Sequence, residues 1–157
     1  MEKLSLREQV QIFQTAYVRC IDSNMLEQWP DFFAEQCLYS VTTAENFRAG
    51  LAAGLMWANT RAMLHDRISA LRHANVYERQ AYRHILGQSS LIAQDDVQVQ
   101  CETPFLVARI VQEDVTSLFA TGVYHDVFEL KGDKLLLRKR IVVCDSSRID
   151  TLLAIPL

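Results

Sequence analysis

The sequence predicts an α+β fold in which helices come first and then cover one face of a curved, mainly antiparallel sheet. Two observations support this prediction. Apolar residues recur at helical spacing before residue 80 and at a period of two after it. The later apolar runs are separated by short polar turns, and strands joined by short turns pair antiparallel, because parallel strands need long crossovers.

The N-terminal part predicts helices. Ser5 and Glu8 form an S-x-x-E capping box, which is typical of a helix start. Residues 24–36 predict one or two short helical turns, because Pro30 interrupts any longer helix. The residues that follow the capping box at helical spacing are Leu6, Val10, Phe13, Tyr17 and Ile21.

A strand, a loop and another helix are expected next. "CLYSVT" (37–42) suits a strand, and "AENFRAGLAAG" (44–54) suits a loop with two glycines. Thr60 is a candidate N-cap of the further helix. The apolar face of that helix would be formed by Met63, Leu64, Ile68 and Leu71.

The second half predicts strands rich in Val, Ile, Leu and Phe. "QDD" (94–96) and "KGDK" (131–134) lie where hairpin turns are needed, and Gly132–Asp133 suits a two-residue turn. The predicted strands are 81–93, 97–112, 115–130 and 134–144.

Composition limits the function classes. With 157 residues, the chain is expected to form one domain over residues 1–157. Its net charge of -3 argues against general binding to nucleic acid or to anionic membranes. The apolar stretch "LAAGLMWA" (51–58) is far shorter than the roughly 20 residues that span a bilayer.

The expected compartment is the cytoplasm. The start "MEKLSLREQ" carries charges where a signal peptide needs an apolar region. The cysteines show no spacing typical of a disulfide framework; they are Cys20, Cys37, Cys101 and Cys144.

Several kinds of catalytic or metal site have no local motif here. The sequence contains no glycine-rich phosphate loop, no G-x-S-x-G and no H-E-x-x-H. No two cysteines lie within ten residues of each other, whereas iron–sulfur and structural zinc sites generally use clustered ligands. No histidine pair has the helical i, i+4 spacing. We therefore expect no self-contained metal centre in this chain.

Residues 66–87, "DRISALRHANVYERQAYRHILG", combine histidines, tyrosines, arginines and acids. Strand alternation places Tyr82 and His84 on one face, towards the helices, and Arg83 on the other. His84 is interpreted as a buried, hydrogen-bonded histidine, with a general base as the alternative. His125, which alternates with apolar residues, is interpreted as a core or interface group.

The basic run "KLLLRKR" (134–140) is also interpreted as part of a strand. Alternation predicts one face with Lys134, Arg138 and Arg140. The opposite face is predicted to be apolar except for Lys139, with Leu135, Leu137, Ile141 and Val143. Without a basic stripe and interleaved aromatic residues elsewhere, the run does not predict nucleic-acid binding. Cross-strand pairs or contact with an acidic partner are the expected roles.

Four motifs, taken together and in this order, identify a resemblance. They are "DRISALR" (66–72), "YRHILG" (82–87), "GVYHD" (122–126) and "RIVVCD" (140–145). The sequence resembles the small, or beta, subunit of bacterial aromatic-ring-hydroxylating dioxygenases over nearly its whole length. "IDSNMLEQWPDFF", "ENFRAGLAAGLMWA" and "CDSSRIDTLLAIPL" are similar to small subunits of the terephthalate dioxygenase type, with the salicylate hydroxylase type closely related.

This resemblance implies a cone-shaped fold like nuclear transport factor two and the cystatins. It also implies assembly with a large alpha subunit, commonly as three alpha and three beta chains with beta–beta contacts. In such enzymes the alpha subunit carries the Rieske [2Fe-2S] cluster and the mononuclear non-haem iron, and electrons arrive from NADH through a reductase. The resemblance therefore implies no catalytic, cofactor-binding or metal-binding residues on the beta chain.

The polar residues that match the motifs are therefore candidates for structural support and subunit contact. These candidates are Arg67, Arg72, Arg83, His84, Asp126, Arg140 and Asp145. Two alternatives stay open. One is an isomerase or dehydratase of the same cone fold, and the other is a small-molecule binding module without chemistry. The internal pocket of such an enzyme could use Tyr17, Tyr39, Asp66, Tyr82 and His84.

Overall fold

The computed structural model describes residues 2–51, 54–74, 80–111, 115–146 and 155–157. Helices dominate the first part and strands the second, as the change of period predicts. The elements follow in the order α1 (Leu6–Asp22), a 3₁₀ helix (Leu26–Phe32), β1 (Phe33–Thr43), α2 (Ala44–Arg48), β2 (Met56–Thr60), α3 (Arg61–His73), β3 (Gln80–Leu86), β4 (Ser90–Gln94), β5 (Gln98–Val111), β6 (Thr116–Lys131) and β7 (Lys134–Cys144).

Both long helices begin at the predicted caps. The Ser5 hydroxyl accepts a hydrogen bond from the Glu8 backbone N–H, and the Glu8 carboxylate accepts one from the Ser5 backbone N–H at 2.7 Å. The Thr60 hydroxyl accepts from the backbone N–H of Met63 at 3.1 Å. Each cap satisfies backbone donors that a helix start otherwise leaves without partners.

The sheet confirms the predicted α+β class. In the described part of the chain seven strands form one curved sheet, in the order β2-β1-β7-β6-β5-β3, with β4 also paired to β5. Neighbouring strands are antiparallel except β1 and β7, which are parallel. Gly132 has φ +64° in the turn between β6 and β7, where the sequence predicts a hairpin.

The predicted strand 81–93 is wrong as one continuous element. It is divided into β3 and β4, which both pair with β5. The interruption lies opposite Pro104, which has no backbone N–H for the ladder. A Cβ added at Gly87 would lie 2.5 Å from the Pro104 side chain, so the chain passes this proline too closely for a larger residue.

The predicted loop 44–54 and its surroundings also differ from the structure. The short helix α2 occupies the first part of this segment, and β2 follows it as an edge strand beside β1. β1 begins at Phe33 rather than at residue 37. Residue 112, the predicted end of one strand, lies outside the described residues.

The predicted faces of β7 are wrong after Arg138. The register changes between the pairs Phe128–Leu137 and Val127–Lys139, so Arg138 is an extra residue in β7. Such a bulge reverses the alternation that follows it. Arg138 and Lys139 are therefore exposed, and Arg140 is fully buried on the inner face.

The core lies between the inner face of the sheet and the helices. Its largest fully buried apolar and aromatic side chains are Trp29, Tyr17, Tyr39, Tyr124, Phe33, Phe128 and Leu157. None of the helices in the described ranges has both the length and the apolar character needed to cross a membrane.

Candidate functional site

A buried ion pair lies at the centre of the inner sheet face. Asp126 on β6 and Arg140 on β7 are cross-strand partners, and both side chains are completely buried. Arg140 Nε donates to Asp126 Oδ1 at 2.7 Å, and Arg140 Nη2 donates to Asp126 Oδ2 at 2.8 Å. This bidentate geometry is the strongest arrangement available to an arginine and a carboxylate.

Gln14 connects this ion pair to helix α1. Its amide oxygen accepts from Arg140 Nη2, and its amide nitrogen donates to Asp126 Oδ2 at 3.0 Å. The same nitrogen lies 3.4 Å from the Thr103 hydroxyl on β5. One polar cluster thus joins α1 to three strands of the sheet.

Two aromatic rings enclose the guanidinium. The Cζ atom of Arg140 lies 4.2 Å from the ring centre of Tyr17 and 4.1 Å from that of Tyr124. Burial alone would lower the pKa of Arg140, but the adjacent Asp126 carboxylate raises the pKa above its usual value. Burial also raises the pKa of both tyrosine hydroxyls. The arginine therefore stays charged and the tyrosines stay neutral, which suits a structural cluster.

A second buried pair holds strand β3 against α1. The Asp22 carboxylate accepts from the His84 backbone N–H at 2.8 Å and lies 2.7 Å from His84 Nδ1. The side chains of His84 and Asp22 are 0% and 5% exposed. His84 Nε2 has no hydrogen-bond partner among the described residues. This geometry matches the predicted buried, hydrogen-bonded histidine.

The interior holds the buried residues Ile155 and Leu157, and three of the tyrosines named for the alternative pocket bond to them. The hydroxyls of Tyr17 and Tyr39 both donate to the Leu157 carbonyl at 3.0 Å. The Tyr39 hydroxyl also accepts from the Leu157 backbone N–H at 3.1 Å. The Tyr82 hydroxyl donates to the Ile155 carbonyl at 3.4 Å.

The alternative pocket residues are therefore not assembled into a site. Three of the five, Tyr17, Tyr39 and Tyr82, bind main-chain carbonyls, and His84 binds Asp22. Asp66 is exposed on α3. The five residues are therefore not gathered around one cavity.

The remaining candidates lie apart from this interior. Arg72 on α3 donates to the Glu27 carboxylate at 2.6 Å and to Asn24, and it lowers the pKa of Glu27. Asp145 is exposed and accepts from the Thr121 hydroxyl at 2.9 Å.

Arg67 and Arg83 differ from the other candidates because neither side chain is bonded to another described residue. Arg67 is half-buried on α3, and Arg83 is exposed on β3. Neither has a hydrogen-bond or ion-pair partner among the described residues. Residues 75–79 of the polar run lie outside the described residues.

The described residues do not fit a metal centre or cluster. Among them, no three His, Cys, Asp or Glu side chains are grouped so that they could hold a metal ion. All of the cysteines are free and buried. Burial raises the pKa of Cys20 to about 11 and those of Cys101 and Cys144 to about 12, so these thiols stay protonated.

Sequence reasoning missed Gln14, Asp22 and the buried residues Ile155–Leu157. Gln14 carries a detectable signal, because it is a polar residue on the apolar face of α1. Asp22 lies at the end of α1 and is 62 residues from its partner His84, a separation that no local pattern predicts.

Comparison with known proteins gives the family. The ring hydroxylating beta subunit family matches residues 17–151. The chain is 51% identical over 149 residues to the terephthalate 1,2-dioxygenase terminal oxygenase component subunit beta 2 of Comamonas sp., covering 95% of this chain and 97% of the relative. It is 33% identical to the anthranilate 1,2-dioxygenase small subunit of Burkholderia cepacia, covering 95% of this chain and 92% of the relative.

A solved structure agrees with this result. The crystal structure of a beta subunit assigned to an aromatic-ring-hydroxylating dioxygenase of Novosphingobium aromaticivorans superimposes with a TM-score of 0.89. It is 36% identical, and the match covers 96% of each chain. The chain therefore belongs to the ring hydroxylating beta subunit family and is the small subunit of a ring-hydroxylating dioxygenase.

Proposed function

We propose that this chain is a non-catalytic scaffold that supports a large alpha subunit, and that oxygen is added to the substrate on the alpha subunit alone. The position of Leu157 in the interior is the observation that carries this proposal. Tyr17 and Tyr39 direct their hydroxyls to the Leu157 carbonyl, and Leu157 itself is fully buried. A substrate would have to displace Leu157 before it could bond to these two tyrosines.

The proposed substrate class is an aromatic carboxylate, with terephthalate as the first compound to test. The 51% identical relative is a terephthalate dioxygenase subunit, and the 33% identical relative is an anthranilate dioxygenase subunit. Both names denote a benzene ring that carries a carboxylate. The choice of ring position would be made on the alpha subunit.

The iron centres are proposed to belong to the alpha subunit. These are a Rieske [2Fe-2S] cluster and a mononuclear non-haem iron, with electrons from NADH delivered by a reductase. The described residues of this chain offer no ligand group that fits either centre.

The proposed assembly contains three alpha and three beta chains, and its proposed location is the cytoplasm. The free cysteines support a reducing compartment.

Reconstitution tests this function. The chain would be purified alone and also co-expressed with its cognate alpha subunit, and both samples would be analysed for iron. Terephthalate-dependent oxygen consumption would then be measured with the reductase and NADH. We expect iron and activity only in the complex. About one iron per isolated chain, or failure to form any complex with the alpha subunit, would contradict the proposal.

A further inference from the structure

The outer face of strands β3, β5 and β6 is apolar for a surface. An antiparallel sheet that packs its inner face on a core normally carries polar residues on the solvent face. Here Ile85 is 60% exposed and Leu118 is 65% exposed, and Leu106 on the strand between them is 37% exposed. We define the outer face by the outward residues Arg83, Ile85, Leu106, Ala108, Leu118 and Thr121.

The strand register makes the apolar residues of the outer face contiguous. Ile85 on β3 lies opposite Leu106 on β5, and Leu106 lies opposite Thr121 on β6. In the adjacent row, Ala108 on β5 lies opposite Leu118 on β6. Directly opposed residues in a sheet are close enough for their side chains to touch. Contiguous exposed apolar patches on soluble proteins mark sites of interaction, so this face indicates a contact with another protein surface.

Two charges of opposite sign flank the apolar residues. Arg83 lies on β3 opposite Ala108, and its exposed side chain is not bonded to another described residue. Asp145 lies on the other side, directly after β7, where its exposed carboxylate accepts from the Thr121 hydroxyl at 2.9 Å. The Asp145 backbone N–H donates to the Thr121 carbonyl at 2.8 Å, so Asp145 extends the row that contains Thr121. The outer face thus has a positive side and a negative side.

This arrangement makes the outer face complementary to a second copy of itself. In a two-fold contact the same face lies on both sides, and every residue pair occurs twice. The strand order is β7-β6-β5-β3, so an axis along the strands between β5 and β6 places β3 of one copy over β7 of the other. Each Arg83 then faces the Asp145 of the partner copy. The two residues lie in adjacent rows, about 7 Å apart along the strands, and the long side chain of arginine spans that distance.

We propose that the isolated chain forms a two-fold dimer through its outer face, with Arg83 of each copy paired to Asp145 of the other. Ile85, Leu106 and Leu118 would lie at the centre and the ion pairs at both sides, which is the usual arrangement of an apolar centre and a polar rim. A two-fold contact pairs two chains and cannot close a ring of three. It therefore differs from the beta–beta contacts within an assembly of three alpha and three beta chains, and the proposal does not depend on the alpha subunit.

Charge reversal in the isolated chain tests the pairing. Dimerisation would be measured by sedimentation velocity over a range of protein concentrations. Arg83→Asp and Asp145→Arg each bring like charges together at both sides of the contact, so each should raise the dimer dissociation constant at least tenfold. The double variant restores opposite charges, so it should dimerise like wild type. Lys131→Asp is the matched control, because it makes the same change of charge at the far, exposed end of β6 and should have no effect.

Leu118→Glu tests the apolar centre of the contact. Leu118 is 65% exposed in the single chain, so the substitution should leave the circular dichroism spectrum unchanged. In the dimer the same side chain is covered, and an unpaired carboxylate there is costly to remove from water. We therefore expect Leu118→Glu to be monomeric at concentrations where the wild-type chain is a dimer.

A wild-type chain that stays monomeric at the highest concentration it reaches would overturn the proposal, and so would a trimer. Single charge variants that dimerise like wild type, or a double variant that dimerises no better than the single ones, would refute the pairing of Arg83 with Asp145. Wild-type dimerisation of Leu118→Glu would refute this face as the contact. Failure of the chain to bind an alpha subunit would contradict the proposed function and leave the dimer unaffected, so the two failures are distinguishable.

Discussion

The Asp126→Asn substitution should destabilise the protein strongly, because it removes the counter-charge of a buried arginine. Asp126 accepts hydrogen bonds from Arg140 Nε, Arg140 Nη2 and Gln14 Nε2. Asparagine keeps nearly the same shape but presents an NH₂ group where one of these donors needs an acceptor. The Arg140 guanidinium would then be fully buried without a negative partner.

The expected cost is about 3–5 kcal/mol, the usual effect of breaking a buried ion pair from one side. For a domain of this size each kcal/mol lowers the thermal midpoint by roughly 2–4 °C, so the shift should be on the order of 10 °C. A solvent-exposed pair offers the comparison. Glu27 pairs with Arg72, and its side chain is 63% exposed, so Glu27→Gln should cost roughly 1 kcal/mol or less.

Urea unfolding followed by tryptophan fluorescence would measure both variants, because Trp29 is completely buried. A double variant, Asp126→Leu with Arg140→Met, removes both charges and should recover much of the lost stability. If Asp126→Asn costs no more than Glu27→Gln, the claim that this ion pair depends on its buried counter-charge is refuted.

Further substitutions test other parts of the fold. Gly122→Ala should destabilise by about 1–3 kcal/mol, because the new Cβ would lie 2.0 Å from the Val143 carbonyl oxygen; a thermal midpoint like that of wild type would contradict the close approach. Leu157→Ala should cost about 2–5 kcal/mol in urea unfolding, since Leu157 is completely buried, and a cost under 1 kcal/mol would show that the interior does not depend on it. His84→Gln should reduce oxygen consumption only as far as it reduces the amount of assembled complex; a hundredfold loss of turnover per complex would instead indicate general acid–base catalysis. Burial raises the pKa of the Cys101 thiol to about 12. Such a thiol contributes stability that is fully present below its unfolded pKa near 9 and is lost as the pH rises towards 12. The free energy of unfolding should therefore fall above about pH 9, with a shallower slope in Cys101→Ala; identical slopes would exclude this thiol as a cause.

The local parts of the fold follow from local patterns. The capping box and the apolar spacing place the start of α1, and period-two alternation places β5, β6 and β7 within about one residue of their bounds. These elements are long, and each repeats its pattern several times, so a single exception does not hide the period. The short helix α2 and the edge strand β2 have five residues each, which is too few to establish a period.

Non-local features could not be predicted from the same patterns. The parallel pairing of β1 with β7 joins distant parts of the chain, and neither strand carries a local mark of its partner. The bulge at Arg138 shifts the alternation by one residue, and this shift alone places Arg140 in the core beside Asp126. The sequence motifs identified both residues as structural candidates without indicating that they form a pair.

The interior gives a quantitative argument for the proposed scaffold function. A ligand entering the cone would have to displace Leu157 and leave the hydroxyls of Tyr17 and Tyr39 without their carbonyl acceptor. Exposing a buried leucine and stranding buried hydroxyls together cost on the order of 5 kcal/mol or more. That cost would raise the dissociation constant of any ligand by roughly three to four powers of ten. The Tyr17 and Tyr39 hydroxyls inside the cone are already bound within the chain.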